Sequence, residues 1–186
     1  MGLTIGNLPN ILTITRILLL PFFAATLIYG YYEYSLILFL SAGITDILDG
    51  LLARTKKQIT ALGSILDPVA DKFLLTTSFI LMSVYGWIPK WLTITVISRD
   101  LIVVTGWLIF YFITHIVKVE PSLVGKAANL CQFFLIGFAL LLINIKGNSE
   151  MPVIFMVAAA FLTAASGIHY IYRGLKISNS AMVKSG

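Results

Sequence analysis

Residues 17–32 read ILLLPFFAATLIYGYY, sixteen consecutive residues with no charge and no alternation of polar and apolar positions. A barrel strand between lipid and a lumen alternates with period two. A helix satisfies its backbone polar groups internally wherever it lies in hydrocarbon. A run of this kind therefore specifies a helix. Comparable runs fill the chain between the breaks "GYYEY", "RTKKQIT", "YGWIPKW", "VKVEPS" and "NIKGNSEMP", which supply glycine, proline or charge. The breaks predict six helices over 10–31, 34–55, 62–86, 89–117, 123–145 and 151–174. With 59% hydrophobic and 11% charged residues and a mean hydropathy of +0.96, the reading is an all-α integral membrane protein. Six spans of roughly 20 residues occupy most of the 186 residues and leave no separate soluble domain. One bundle over 1–186 is expected.

The distribution of Lys and Arg gives an orientation. With the N-terminus in the cytoplasm, Arg16, Arg54, Lys56, Lys57, Lys118, Lys126, Arg173, Lys176 and Lys184 fall on the cytoplasmic side. Only Lys90 and Lys146 fall opposite, while Lys72 and Arg99 lie within or at the edge of spans. The bias places both termini and the 54–61 loop in the cytoplasm. The net charge of +5 is spread among loops, with no basic helix interleaved with aromatics, so nucleic acid is not expected as a partner. The opening "MGLTIGNLPNILTITR" lacks a basic n-region and a cleavage site, and reads as neither signal nor transit peptide. A bacterial inner membrane is the expected location. The single cysteine, Cys131, excludes an intrachain disulfide or a cysteine metal cluster and is read as a packing residue.

Against this apolar background the window "TDILDGLLARTKKQITALGSILDPVADK" holds Asp46, Asp49, Asp67 and Asp71, half of the 8 acidic residues of the chain. The first pair is three residues apart near the end of the second helix, the second pair four apart near the start of the third. Both spacings put a pair on one helical face, and the short loop makes the two helices antiparallel neighbours. Clustered carboxylates repel unless a cation lies among them. Hard divalent ions with oxygen ligands, Mg²⁺ or Mn²⁺, fit this donor set and take substrate phosphates as further ligands. Two such ions can clamp the attacking and leaving oxygens of a phosphoryl transfer. Gly50, Ala53 and Gly63 leave room for a ligand beside the helices, or simply permit close helix packing. Arg54 is a phosphate donor or a flanking charge.

The arrangement Asp46-x-x-Asp49-Gly50-x-x-Ala53-Arg54, eight residues, then Gly63-x-x-x-Asp67-x-x-x-Asp71 resembles the signature of the CDP-alcohol phosphatidyltransferases at all eight positions. "NLPNILTITRILLLP" and "GSILDPVADK" resemble the members that make glycerol-based anionic phospholipids. The resemblance implies six membrane helices, a homodimer and an active site opening to the cytoplasm. It implies that Asp46, Asp49, Asp67 and Asp71 hold two metal ions, Mg²⁺ or Mn²⁺. Asp71 would also be the base for the acceptor hydroxyl. Asp49, Gly50, Ala53, Arg54 and Gly63 would line the site of the nucleotide in CDP-diacylglycerol, with cytidine monophosphate as leaving group.

The acceptor is read from the second half. Phosphatidylglycerophosphate synthases usually carry Arg-Glu where this chain has Arg99-Asp100, and another arginine where it has Trp107, Leu108 and Ile109. Without that arginine the site suits a dianionic phosphate less and phosphatidylglycerol better. Arg-Asp, with the closing "FLTAASGIHYIYRG", resembles the cardiolipin synthases. Glycerol 3-phosphate is the alternative acceptor. Arg99 and Lys126 are the candidate acceptor-binding residues, since charges within a membrane are functional or paired; the alternative for Arg99 is a structural ion pair with Asp100 or with the aspartate cluster. Outside this family the rival reading is an ion-coupled transporter, which would scatter its acids near mid-membrane and show inverted repeats. His115 and His169 have no partner at ligand spacing. Trp87 and Trp91 read as an interfacial belt.

Overall fold

The computed structural model describes the backbone of residues 8–56, 61–114, 123–147 and 151–185, and the side chains of 14–45, 72–106, 123–147 and 151–172. Six helices account for it: α1 (Leu8–Ile28), α2 (Tyr32–Lys56), α3 (Ala61–Val84), α4 (Lys90–Thr114), α5 (Leu123–Lys146) and α6 (Val153–Ser185). Among the described residues there is no strand. The six-helix, all-α expectation holds.

Two helix ends fall short of the sequence reading, for one reason. α1 stops at Ile28 rather than 31 because Gly30 takes φ +78°. The Gly30 N–H donates to Leu27 O at 3.3 Å and the Tyr31 N–H to Thr26 O at 2.8 Å, a Schellman closure that a left-handed glycine permits. α3 stops at Val84 rather than 86 through the same device at Gly86, φ +76°, with the Trp87 N–H donating to Met82 O at 2.9 Å. α6 departs in the other direction and runs on to Ser185, beyond the expected 174. The end expected at 117 for the fourth helix lies outside the described residues.

The chain forms two compact units. The first holds residues 1–87 and 136–150, with α1 packed on both α2 and α3. Its core is Phe23, Leu27, Phe39, Leu75, Phe79 and Met82, each under 4% exposed. The Phe23 and Phe39 rings lie 6.0 Å apart, and a Cβ on Gly137 would come 3.6 Å from Phe39. The ring of Phe39 thus rests on a bare stretch of α5. Ser35 donates to Thr26 Oγ1 at 3.0 Å, and Asn144 donates to Tyr32 O at 3.0 Å. Trp87 packs edge-on to Tyr32 at 5.3 Å and stacks on Tyr85 at 5.0 Å. Removing a fully buried aromatic ring costs about 3–5 kcal/mol. We expect Phe39→Ala to show a loss of this size in thermal unfolding in detergent; an unchanged midpoint would contradict the packing.

The second unit holds residues 88–135 and 151–186, with α6 packed against α4. Helical periodicity sets the buried face of each helix. α4 buries Leu92, Val96, Arg99 and Asp100; α5 buries Ala128, Gln132 and Leu135; α6 buries Met156, Ala159, Thr163 and Ser166. Gly106 is required by close approach, since a Cβ there would come 2.9 Å from the Tyr170 ring. Thr93, Arg99, Asp100, Gln132, Thr163 and Ser166 point inward. Outward on α4, α5 and α6 lie Ile94, Leu101, Leu130, Phe134, Val157 and Phe161, all exposed. The segments Leu123–Lys146 and Val153–Tyr172 are long and apolar enough to cross a membrane, while Ile14–Ile28 and Lys72–Val84 are shorter apolar stretches.

Candidate active site

The signature positions fall on two helices. Asp46, Asp49, Gly50, Ala53 and Arg54 lie in the second half of α2, and Gly63, Asp67 and Asp71 in the first half of α3. The continuous helix through each pair is what gives spacings of three and four a common face. The side chains of all eight positions, and the connection 57–60, lie outside the described residues. Among the described residues, no three His, Cys, Asp or Glu side chains form a metal-binding group.

The polar centre that is described belongs to the second unit. Arg99, on α4, is 7% exposed, and every nitrogen of its guanidinium donates to a protein oxygen. Nη1 donates to Asp100 Oδ1 at 2.7 Å and to Asn129 Oδ1, on α5, at 3.1 Å. Nε and Nη2 both donate to Ser166 Oγ, on α6, at 3.3 and 2.9 Å. Arg99 and Asp100 are thus a buried ion pair, the arrangement given above as the alternative to acceptor binding. A guanidinium carries five N–H donors. These bonds engage the one on Nε, both on Nη1 and one on Nη2, so one Nη2 donor remains among the described residues.

One turn further along α5 and one turn back along α6, Gln132 Nε2 donates to Thr163 Oγ1 at 2.9 Å, and both residues are fully buried. Gln132 Oε1 has no hydrogen-bond partner among the described residues. The two tiers, Asn129 with Ser166 and Gln132 with Thr163, follow the three-residue spacing of one face on each helix. Together they fix the distance between α5 and α6 at the depth of Arg99.

Lys126 lies exposed near the start of α5, and no bond joins it to Arg99 among the described residues. The structure therefore groups Arg99 with Asp100, Asn129 and Ser166, not with Lys126. Arg16, read from the sequence as a cytoplasmic-side charge, is 2% exposed on α1. Ser166 was not singled out from the sequence; a serine in an apolar helix has no signature beyond its polarity. Cys131 is half-buried and His169 exposed. His115 lies outside the described residues, as do the side chains of Trp107, Leu108 and Ile109.

The family described as CDP-alcohol phosphatidyltransferase matches residues 6–165. The chain is 34% identical over 179 residues to a probable phosphatidylglycerophosphate synthase of Mycobacterium tuberculosis, covering 92% of this chain and 83% of that protein. It is 31% identical over 190 residues to a cardiolipin synthase (CMP-forming) of Rattus norvegicus, covering 91% of this chain and 62% of that protein. It is 32% identical over 194 residues to a CDP-diacylglycerol–glycerol-3-phosphate 3-phosphatidyltransferase of Bacillus subtilis, covering 93% and 99%.

Proposed function

This chain belongs to the CDP-alcohol phosphatidyltransferase family, and from that membership we propose that it forms cardiolipin. It transfers the phosphatidyl group of CDP-diacylglycerol to phosphatidylglycerol. A glycerol hydroxyl of the acceptor attacks the phosphorus attached to diacylglycerol. The bond to cytidine monophosphate breaks, and Asp71 takes the hydroxyl proton. Asp46, Asp49, Asp67 and Asp71 hold two divalent cations, Mg²⁺ or Mn²⁺. Four carboxylates at helical spacings on α2 and α3 are the hard oxygen donors such ions take. When bound, the ions supply positive charge against the pyrophosphate and the leaving oxygen. Asp49, Gly50, Ala53, Arg54 and Gly63 line the nucleotide, and Arg99 and Lys126 contact the acceptor.

The observation that carries the choice of acceptor is the occupied guanidinium of Arg99. A dianionic phosphate monoester is best held by two parallel N–H donors from one arginine. Among the described residues Arg99 has one such donor left, and Asp100 at 2.7 Å offsets its charge. A monoanionic diester demands less positive charge. The second reading, glycerol 3-phosphate as acceptor, draws on the names of two of the relatives above.

The same proposal has the chain crossing the bilayer six times as a homodimer, with both termini and the aspartates toward the cytoplasm. The charge bias of the loops supports the orientation. Buried Arg99 and Gln132 beneath outward Phe134 and Phe161 support lipid as the surrounding solvent.

The test uses purified protein in detergent with CDP-diacylglycerol, following release of cytidine monophosphate with each acceptor offered separately. Release with phosphatidylglycerol is expected to exceed that with glycerol 3-phosphate, and the reverse preference would overturn the choice of acceptor. Chelation of divalent ions is expected to abolish release, and Mg²⁺ or Mn²⁺ to restore it. Full activity under chelation would remove the metal from the mechanism.

A further inference from the structure

We infer that Ser166, Asn129 and Asp100 form a seat that holds Arg99 with one N–H unengaged among the described residues, and that this seat selects the acceptor by its charge. The inference rests on the acceptor-binding role proposed for Arg99. Ser166 is the keystone. Its Oγ accepts two N–H groups of one guanidinium, at 3.3 and 2.9 Å, so it fixes both the plane and the rotation of that group. Asn129 and Asp100 take the two hydrogens of Nη1 from different helices. All the edges of the guanidinium that could present a two-pronged fork to a phosphate are thereby in contact with protein.

The stem of Arg99 is seated as well. A Cβ on Gly167 would lie 3.5 Å from Arg99 Cγ and 3.9 Å from its Cβ. The stem therefore lies against α6 where a glycine leaves the backbone bare, next to the serine that receives the head. The Gln132–Thr163 bond at 2.9 Å holds α5 and α6 at the spacing that lets Asn129 and Ser166 converge on one group. Seat and tier both lie on the buried faces of their helices, so they persist without a ligand. Among the described residues, what remains for the acceptor is one donor on a group whose charge is offset by a buried carboxylate.

Ser166, Asn129 and Asp100 are therefore positioning residues, and Asp100 decides which head group is accepted. Asp100→Asn keeps the shape and an oxygen for Nη1 but removes the negative charge. It is expected to raise the ratio of kcat/KM for glycerol 3-phosphate over that for phosphatidylglycerol by about tenfold, the scale of one charge-assisted hydrogen bond. Ser166→Ala is expected to raise KM for the acceptor by about tenfold, leave KM for CDP-diacylglycerol unchanged, and be reversed by Ser166→Thr, which restores the hydroxyl.

The measurement is steady-state release of cytidine monophosphate by wild type, D100N, S166A and S166T with each acceptor, alongside the thermal midpoint of each variant. An unchanged acceptor ratio in D100N overturns the seat as a selector. A parallel rise of both KM values in S166A overturns it as an acceptor device and leaves it a structural clamp. If wild type uses glycerol 3-phosphate in preference to phosphatidylglycerol, the proposed acceptor fails, while the shift of the ratio in D100N still decides the seat.

Discussion

Asp71→Asn is expected to lower transfer by a factor of about 10²–10⁴, the range a positioned general base contributes, while leaving the fold and most nucleotide binding in place. Asparagine matches aspartate in volume and keeps one oxygen, but it cannot take the acceptor proton at neutral pH. Asp71 is also proposed as a metal ligand, so loss of the base must be separated from loss of the ion. Raising Mg²⁺ or Mn²⁺ makes that separation. A defect in metal affinity shrinks as the ion approaches saturation, whereas the absence of a base persists. Near-normal turnover at saturating metal would refute the role as base and leave Asp71 a ligand only.

The second large effect is expected at Arg99, where activity and stability must be read together. Arg99→Ala removes one partner of a buried ion pair, which costs about 3–5 kcal/mol because the other charge stays buried. It also removes the N–H groups that Ser166 Oγ and Asn129 Oδ1 accept from Arg99. The single variant alone therefore cannot tell an acceptor ligand from a structural cation. The double variant R99A/D100A removes both charges, and eliminating both partners of a buried pair is often nearly neutral for stability. Transfer is expected to be lost in both variants with nucleotide binding retained in the double, whose thermal midpoint recovers most of the loss. If R99A/D100A regains turnover along with stability, Arg99 serves the fold and not the acceptor.

The six helices were legible because an apolar, non-alternating run has one way to satisfy its backbone, and because glycine, proline and charge interrupt the runs where the chain turns. Helix ends were less legible. The overruns at residues 29–31 and 85–86 arise because Gly30 and Gly86 close their helices in the left-handed region, a conformational choice that hydropathy does not encode. The signature aspartates were legible as residues on two helical faces, since a spacing of three or four needs only a helix to bring a pair together. The family match spans residues 6–165, a range that includes them.

The centre around Arg99 is of another kind. Adjacent residues on a helix point about 100° apart, so the sequence offered the Arg99–Asp100 pair only as an alternative to acceptor binding; the length of the arginine stem and its burial make it. Ser166 lies 67 positions away and carries no motif. Local periodicity sufficed to determine that this chain is helical and where its carboxylates fall. Only the packing of α6 on α4, with α5 supplying Asn129, decided that a serine and an asparagine would take up the guanidinium. Periodicity is a property of one helix, whereas a hydrogen bond between helices depends on their rotation and depth, which side-chain packing sets.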